Sequence, residues 1–328
     1  MITQLKHLIP RMANRRVLVL GDIFLDEYLI GKATRMSREA PVPVLEFESR
    51  RLLPGGAGNP AANITALGSQ AVQIGVVGDD AMGTQLREVL RARGIDTSGI
   101  ITDANRPTTV KTRIMAQMGL RFPQQVARLD RLSRDPISAE IQAQIMQAVR
   151  DQLTAADAVL FSDYQTGLLT SELVNGLRTM AAGVLLTADA QGELAKYAGF
   201  TLVKCNADEA RTYLQRDLVS DEDFNRAACD LYDALELTGA MVITRGAEGI
   251  TLGMAGGTTH HSPAPLVTDV YDTVGAGDTT IAVMALALTA GAQMAEAAAL
   301  ANYASGLVVR RVGNYAPSPE ELRRALEP

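Results

Sequence analysis

The stretch Arg15-Arg16-Val17-Leu18-Val19-Leu20-Gly21-Asp22 is a short apolar run that ends on a glycine and a carboxylate. Similar leucine-rich or β-branched runs recur at Val72 to Val77, Ala158 to Phe161, Val184 to Thr187, Thr201 to Cys205 and Met241 to Thr244, with helical spacing between most of them. Strands alternating with helices predict an α/β fold, a mostly parallel central sheet flanked by helices on both faces. Such sheets bind ligands beyond the C-terminal ends of their strands. The expected strand ends carry Asp22, Gly78-Asp79, Ser162-Asp163, Asp189, Asn206 and Arg245-Gly246, so polar and glycine residues collect where a crevice belongs.

Two stretches break the alternation. One runs from Tyr28 to Phe47 and includes Ala40-Pro41-Val42-Pro43-Val44; the other, Thr108 to Arg128, alternates enough to suggest further strands. Prolines at 41 and 43 exclude a helix there and favour an edge or extended segment. A small projecting β-sheet over about 28–48 and 107–130 is expected, placed to act as a lid. The C-terminal half is helix-rich, with helical spacing over Gly275 to Ala290, Met294 to Val309 and Pro319 to Leu326. No internal repeat or domain-length linker is visible, so residues 1–328 read as a single domain.

Composition narrows the function classes. The 328 residues carry 31 Lys+Arg against 37 Asp+Glu, a formal charge of -6, which argues against a nucleic-acid surface. No tract approaches eighteen uninterrupted apolar residues, and Met1 to Arg16 does not read as a secretory signal, so a cytoplasmic protein is expected. Cys205 and Cys229 are too few for a disulfide framework or a zinc cluster and read as core thiols. His7, His260 and His261 show no metal-ligand spacing, the adjacent pair pointing to opposite faces of a strand.

Two glycine motifs carry the chemistry. Tyr271-Asp272-Thr273-Val274-Gly275-Ala276-Gly277-Asp278-Thr279-Thr280 opens an apolar helix. The first turn of a helix leaves N–H groups without intrahelical partners at the positive end of the dipole, where a phosphate is held without any lysine. Asp278 beside it could accept the proton of an attacking hydroxyl. Alternatively, Asp278 is only a first-turn carboxylate that favours the dipole. The second motif, Pro54-Gly55-Gly56-Ala57-Gly58-Asn59-Pro60-Ala61-Ala62-Asn63, puts Asn59 and Asn63 on one helix face, where their amides could bond sugar hydroxyls. The alternative is that Asn59 merely caps the helix.

Taken together, Gly21-Asp22 with Asp26, Gly55-Gly56-Ala57-Gly58-Asn59, Asn206-Ala207-Asp208-Glu209, Thr244-Arg245-Gly246 with Gly249, and Asp272 to Asp278 stand in the order seen in ribokinase-like carbohydrate kinases, often called the PfkB family. The resemblance covers nearly the whole chain. No Walker A string is present, so the nucleotide would be held the ribokinase way. Within that family, Gly21 to Tyr28, Ser37 to Val44, Val126 to Asp130, Ser162-Asp163-Tyr164 and Val270-Tyr271-Asp272 resemble the branch that phosphorylates O1 of D-glycero-D-manno-heptose 7-phosphate. Many of those relatives fuse the kinase to a nucleotidyltransferase, and the resemblance here is to the kinase half.

The resemblance implies a ribokinase-like fold and a kinase using ATP and Mg²⁺, with K⁺ a further expectation. It implies that Asp278 is the base and that the N–H groups of Gly275, Ala276, Gly277 and Asp278 form an anion hole. Asp22, Asp26, Gly55, Gly56, Asn59, Asn63 and Asp189 would line the sugar; Asn206 and Glu209 would position Mg²⁺ through water and phosphate. Thr244, Arg245, Gly246 and Gly249 would line the nucleotide phosphates, Asn302 would stand near the adenine, and Asp272 and Val274 would serve a monovalent cation. For a remote substrate phosphate the lid offers Arg35, Arg38, Lys111, Arg113 and Arg128, unless these are a solvated basic face. Apolar lid residues such as Val42, Val44 and Phe47 make a homodimer through the lid an expectation.

Two departures fall on the acceptor side. Ala188-Asp189-Ala190-Gln191-Gly192 stands where heptose kinases usually show Asp-Pro-Lys-Gly, and Ala116 to Gln125, with Met118, Gly119, Phe122 and Pro123, is longer than expected. A kinase for ribose, fructose, a keto-deoxy sugar acid or a nucleoside therefore stays open, as does a sensor that keeps the fold without turnover.

Overall fold

The computed structural model describes residues 2–119, 123–266 and 269–327. Among them the strands, in chain order, are β1 (Arg16–Gly21), β2 (Ile23–Met36), β3 (Pro43–Gly56), β4 (Gln70–Gly78), β5 (Asp96–Asp103), β6 (Val110–Gln117), β7 (Gln124–Arg131), β8 (Ala158–Asp163), β9 (Leu185–Ala190), β10 (Leu202–Asn206), β11 (Ala240–Thr244), β12 (Ile250–Met254) and β13 (Thr258–Ser262). Nine of them form one sheet in the order β13-β12-β11-β10-β9-β8-β1-β4-β5. Every pairing from β5 across to β11 is parallel, as the alternation of strands and helices predicts, and only β12 runs against the rest, antiparallel to both β11 and β13.

The helices are α1 (Ile2–Arg11), α2 (Gly58–Ala66), α3 (Ala81–Arg91), α4 (Ala139–Leu153), α5 (Ser171–Met180), α6 (Ala207–Leu214), α7 (Asp221–Ala234), α8 (Ala276–Thr289), α9 (Met294–Val308) and α10 (Pro319–Ala325). Successive side chains of a strand point to opposite faces, so a strand covered on both sides feeds two cores. In β1, Val17 and Val19 enter one core with residues of α1, α2, α3, α8, α9 and α10. Leu18 and Leu20 enter the other, with residues of α4, α5, α6 and α7. Helix α8 is buried from Asp278 through Ala287, because its sequence is apolar all round rather than on one stripe.

Three strands escape the sequence reading. β5 reads Asp-Thr-Ser-Gly-Ile-Ile-Thr-Asp and β13 Thr-Thr-His-His-Ser, and edge strands need fewer apolar residues than central ones. β12 is short and interrupted by Gly253. Thr251 and Leu252 pair with His261 and His260, which puts the histidine pair on a strand.

The second sheet has the order β3-β2-β6-β7, with β2 and β6 parallel and the outer pairs antiparallel. It reaches further into the protein than the expected bounds, because β2 begins one residue after β1 ends; Ile23 to Asp26 are buried whereas Arg35 and Met36 are exposed. Pro43 and Pro54 lie on the edge strand β3, where a missing N–H breaks little of the ladder. Phe122 lies outside the described residues. Cys205 is buried in β10 and Cys229 half-buried on α7, both as free thiols. No helix among the described residues is long and apolar enough to cross a membrane.

Candidate active site

Helices α4, α5, α7 and α10 start on Ser138, Thr170, Ser220 and Ser318, whose hydroxyls accept a first-turn N–H. By contrast, α2 and α8 start on Ala57 and Gly275 with no side-chain cap. The N–H of Ala276 turns back to Thr273 O at 3.3 Å, and no main-chain acceptor among the described residues meets those of Gly277 and Asp278. Gly275 has φ +83°, and a Cβ there would lie 2.6 Å from Asn59 Nδ2, so conformation and crowding both demand glycine. At Gly277 the demand is steric alone: a Cβ would sit 2.7 Å from Lys204 Nζ.

Asp278 is 6% exposed and held from two sides. Its Oδ2 accepts from Asn59 Nδ2 at 2.8 Å, and its Oδ1 from Tyr164 Oη at 2.8 Å. Burial first, then the charge of Asp189, pushes its carboxyl up to about 7, against the pull of Asn59, Tyr164 and Lys204. The first-turn alternative thus accounts for its position but not for its two fixed donors.

Lys204 is a charge that sequence reasoning missed, since it sits inside the apolar run of β10. It stands opposite Asp189 of β9, and its ammonium donates to both Asp189 oxygens at 2.7 and 2.8 Å. Burial opposes its charge, but Asp189, with Glu209 and Asp278 beyond it, holds the ammonium above its ordinary value. The cation beside Asp189 therefore comes from the next strand rather than from position 191, where Gln191 stands.

The reading of Asn59 as a helix cap is corrected: it lies one residue inside α2, and its amide meets Asp278 and, at 3.4 Å, Asn314 Oδ1. The second amide of that helix face is engaged within the protein. Asn63 is fully buried, with Nδ2 bonded to Asn59 O at 3.0 Å and Oδ1 accepting from Thr279 Oγ1 at 3.0 Å, which ties α2 to α8. Asp26 pairs with Arg113 and accepts from Asn314 Nδ2 at 2.7 Å. Asn314, in the segment after α9, has no sequence signal. Gly55 and Gly56 end β3 against Phe24, and a Cβ on Gly55 would fall 2.5 Å from Asp26 Oδ2. Asp22 turns to the loop after β8: its Oδ2 accepts from the N–H groups of Tyr164 at 2.8 Å and Thr166 at 3.1 Å, while Oδ1 is buried with no partner among the described residues. Burial raises its carboxyl.

On the second sheet, Lys111 and Arg113 share a face as expected, and Arg113 stands opposite Arg128 on β7. Arg128 holds Asp130 through two bonds of 2.9 and 3.0 Å. Lys111 Nζ lies 3.9 Å from the Phe24 ring centroid and 5.1 Å from that of Tyr164, and burial lowers its ammonium. Arg35 and Arg38 are exposed at the far end.

On the other flank, Asn206 and Glu209 form a capping box on α6: Glu209 N donates to Asn206 Oδ1 at 2.9 Å and Asn206 N to Glu209 Oε2 at 2.7 Å. Burial raises the Glu209 carboxyl, against the pull of the Asn206 N–H and of the Lys204 charge. Thr244 Oγ1 donates to Cys205 O at 3.3 Å, and Gly246 and Gly249, both at positive φ, shape the turn after β11. The Arg245 side chain is 4% exposed, stacked 4.2 Å over Phe224 and paired with Asp221 and Glu248. Asn302 ties α9 to Ser262 O at 2.7 Å. Asp272 accepts from Val274 N at 3.0 Å and Gly313 N at 2.9 Å, so both oxygens shape a turn. No cluster of three or more His, Cys, Asp or Glu among the described residues is placed to hold a metal ion.

A sequence model of the pfkB family carbohydrate kinases matches residues 14–321. This chain belongs to that family. Among curated relatives it is 38% identical over 322 residues to Bifunctional protein HldE of Geotalea uraniireducens, which covers 97% of this chain and 64% of the relative. It is 39% identical over 324 residues to the protein of the same name from Caulobacter vibrioides, covering 97% and 65%. The chain thus spans less than two thirds of the length of these relatives. Among solved structures it resembles phosphofructokinase-2 of Escherichia coli in complex with substrates and products, with a TM-score of 0.77 at 19% identity over 96% of this chain and 98% of that one. The ribokinase of Arabidopsis thaliana complexed with ribose and ATP gives a TM-score of 0.73 at 20% identity, covering 96% and 99%. These likenesses establish a ribokinase-like α/β fold for this pfkB family member.

Proposed function

We propose that this carbohydrate kinase transfers the γ-phosphoryl group of ATP to a hydroxyl of a sugar or sugar phosphate, with O1 of D-glycero-D-manno-heptose 7-phosphate as the acceptor. The observation that carries the phosphoryl-transfer reading is Asp278, a buried carboxylate with a raised pKa in the first turn of an uncapped helix. The acceptor hydroxyl gives its proton to Asp278 while the N–H groups of Gly275 to Asp278, of which those of Gly277 and Asp278 meet no main-chain acceptor among the described residues, face the charge that spreads over the phosphoryl oxygens.

Glu209 is the candidate for Mg²⁺. Its Oε2 is taken by the α6 cap, both Asp189 oxygens by Lys204 and both Asp278 oxygens by Asn59 and Tyr164, so the donor set fits an ion that keeps most of its water. When bound with the nucleotide, Mg²⁺ neutralises phosphate charge. Asp272 and Val274 remain the candidates for a monovalent cation through the turn they shape. The second sheet acts as the lid of a single kinase domain, and Arg113, Lys111 and Arg128 on one of its faces suit a remote phosphate. Exposed Met36, Phe47, Val126 and Leu129 on the same sheet, with Val42 in the turn between β2 and β3, favour a homodimer through the lid.

The heptose assignment rests on the motifs shared with heptose kinases and on the named relatives. Gln191 favours a second reading, a kinase of the same family for another acceptor. A panel of heptose 7-phosphate, ribose, fructose, fructose 6-phosphate, keto-deoxy sugar acids and nucleosides, assayed by ADP release, decides between them. Heptose 7-phosphate should lead by at least tenfold in kcat/KM; another leader sinks the heptose assignment, and silence with every acceptor favours a sensor.

A further inference from the structure

Tyr164 lies in the loop between β8 and α5 and touches two parts of the protein at once. Its hydroxyl donates to Asp278 Oδ1 at 2.8 Å. Its ring packs edge-on against Phe24 at the start of β2, centroids 5.2 Å apart and planes at 87°, with Lys111 of β6 above both rings. The loop itself is pinned, since Asp22 Oδ2 receives the N–H groups of Tyr164 and Thr166.

We propose that Tyr164 is the positioning residue for the Asp278 carboxylate, and that it links the orientation of that carboxylate to the seating of the second sheet. The inference rests on the reading of Asp278 as the base. With Asn59 fixing Oδ2 and Tyr164 fixing Oδ1 from a different element, the carboxylate plane is set at two points. Each oxygen keeps lone-pair capacity for an incoming hydroxyl. Burial, then the negative charge of Asp278, holds the Tyr164 phenol well above its ordinary value, so it stays a donor while Asp278 titrates.

The charged groups around the pair are few. Asp189 of β9 and Lys204 of β10 face Asp278, and Asp26 and Lys111 of the second sheet face Tyr164. None is altered by Y164F, which keeps the ring and removes only the hydroxyl. A hydrogen bond to an ionised carboxylate favours that form, so its loss moves the carboxyl further up.

The experiment is the pH profile of kcat for Y164F beside wild type, at saturating ATP and acceptor. The acid limb should move up by about one pH unit, giving roughly tenfold loss near pH 6 that is recovered above pH 9, with KM for ATP unchanged. A role limited to packing leaves the limb in place and lowers kcat equally at every pH, and that result overturns the proposal. Should Y164F melt lower than wild type, 3-fluorotyrosine at 164, a stronger donor in the same ring, should move the limb down; an unmoved limb there overturns it too. The two readings fail separately: turnover in D278N sinks the base itself, whereas an inactive D278N with an unmoved Y164F limb sinks only the role of Tyr164.

Discussion

Asn59 and Asp278, 219 positions apart in the chain, meet at 2.8 Å inside the protein. The contact joins the first turns of α2 and α8, two helices that begin without a side-chain cap. An amide donor aimed at a buried carboxylate favours its charged form, partly offsetting the burial that raises it. On the proposed role of Asp278 as the base, that leaves its carboxyl near neutral pH, where a general base is most effective.

Turnover should therefore follow the ionisation of Asp278. The ionised form accepts the proton, so kcat rises with pH through about 7 and levels above it. Initial rates from pH 5 to 9 at saturating substrates check this, and a flat profile speaks against the assignment. D278N should bind nucleotide as wild type does and lose about 10²-fold or more in kcat.

The same carboxylate should cost stability at high pH. Its folded pKa is raised, so its stabilising contribution is complete below the ordinary carboxylate value and is lost as pH rises through about 7. D278N should consequently melt higher than wild type at pH 8, by about 3 °C or more, with the difference vanishing toward pH 4. Calorimetry at the two pH values tests the sign.

Breaking the Lys204–Asp189 pair should be worse than removing it. K204M leaves a buried carboxylate uncompensated and should lower the melting temperature by about 10 °C, while K204M with D189L should recover much of that loss. Equal melting of the two variants would mean that the pair is not buried in solution.

Arg113 and Arg245 should separate by readout. R113M removes a cation of the second sheet and should raise the acceptor KM about tenfold or more while leaving ADP affinity alone. R245M, which loses its stacking on Phe224 and its two carboxylate partners, should melt lower yet keep kcat and the KM for ATP within about twofold. A large rise in the KM for ATP in R245M would return that guanidinium to the nucleotide.

Much of the architecture was legible because buried parallel strands read as continuous apolar runs, as at Val17 to Leu20 and Met241 to Thr244. Strands at the edge of a sheet, such as β5 and β13, carry no such run and stay silent. The glycine turns at 55–58 and 275–277 were visible as local chemistry. Partners were not: the bond of Asn63 to Thr279 and the stacking of Arg245 on Phe224 join segments far apart or pack a side chain sideways, and Asn314 gave no signal at all.

By itself, the order of residues determined the layered sheet, the family, and the uncapped helix start that carries Asp278, because periodicity, backbone freedom and helix polarity are local properties. Only the tertiary structure decided that Tyr164, Asn59, Lys204 and Asp189 surround that carboxylate and with what charge. A pKa depends on burial and on charges within a few ångströms, and those distances are created by packing between segments far apart in the chain.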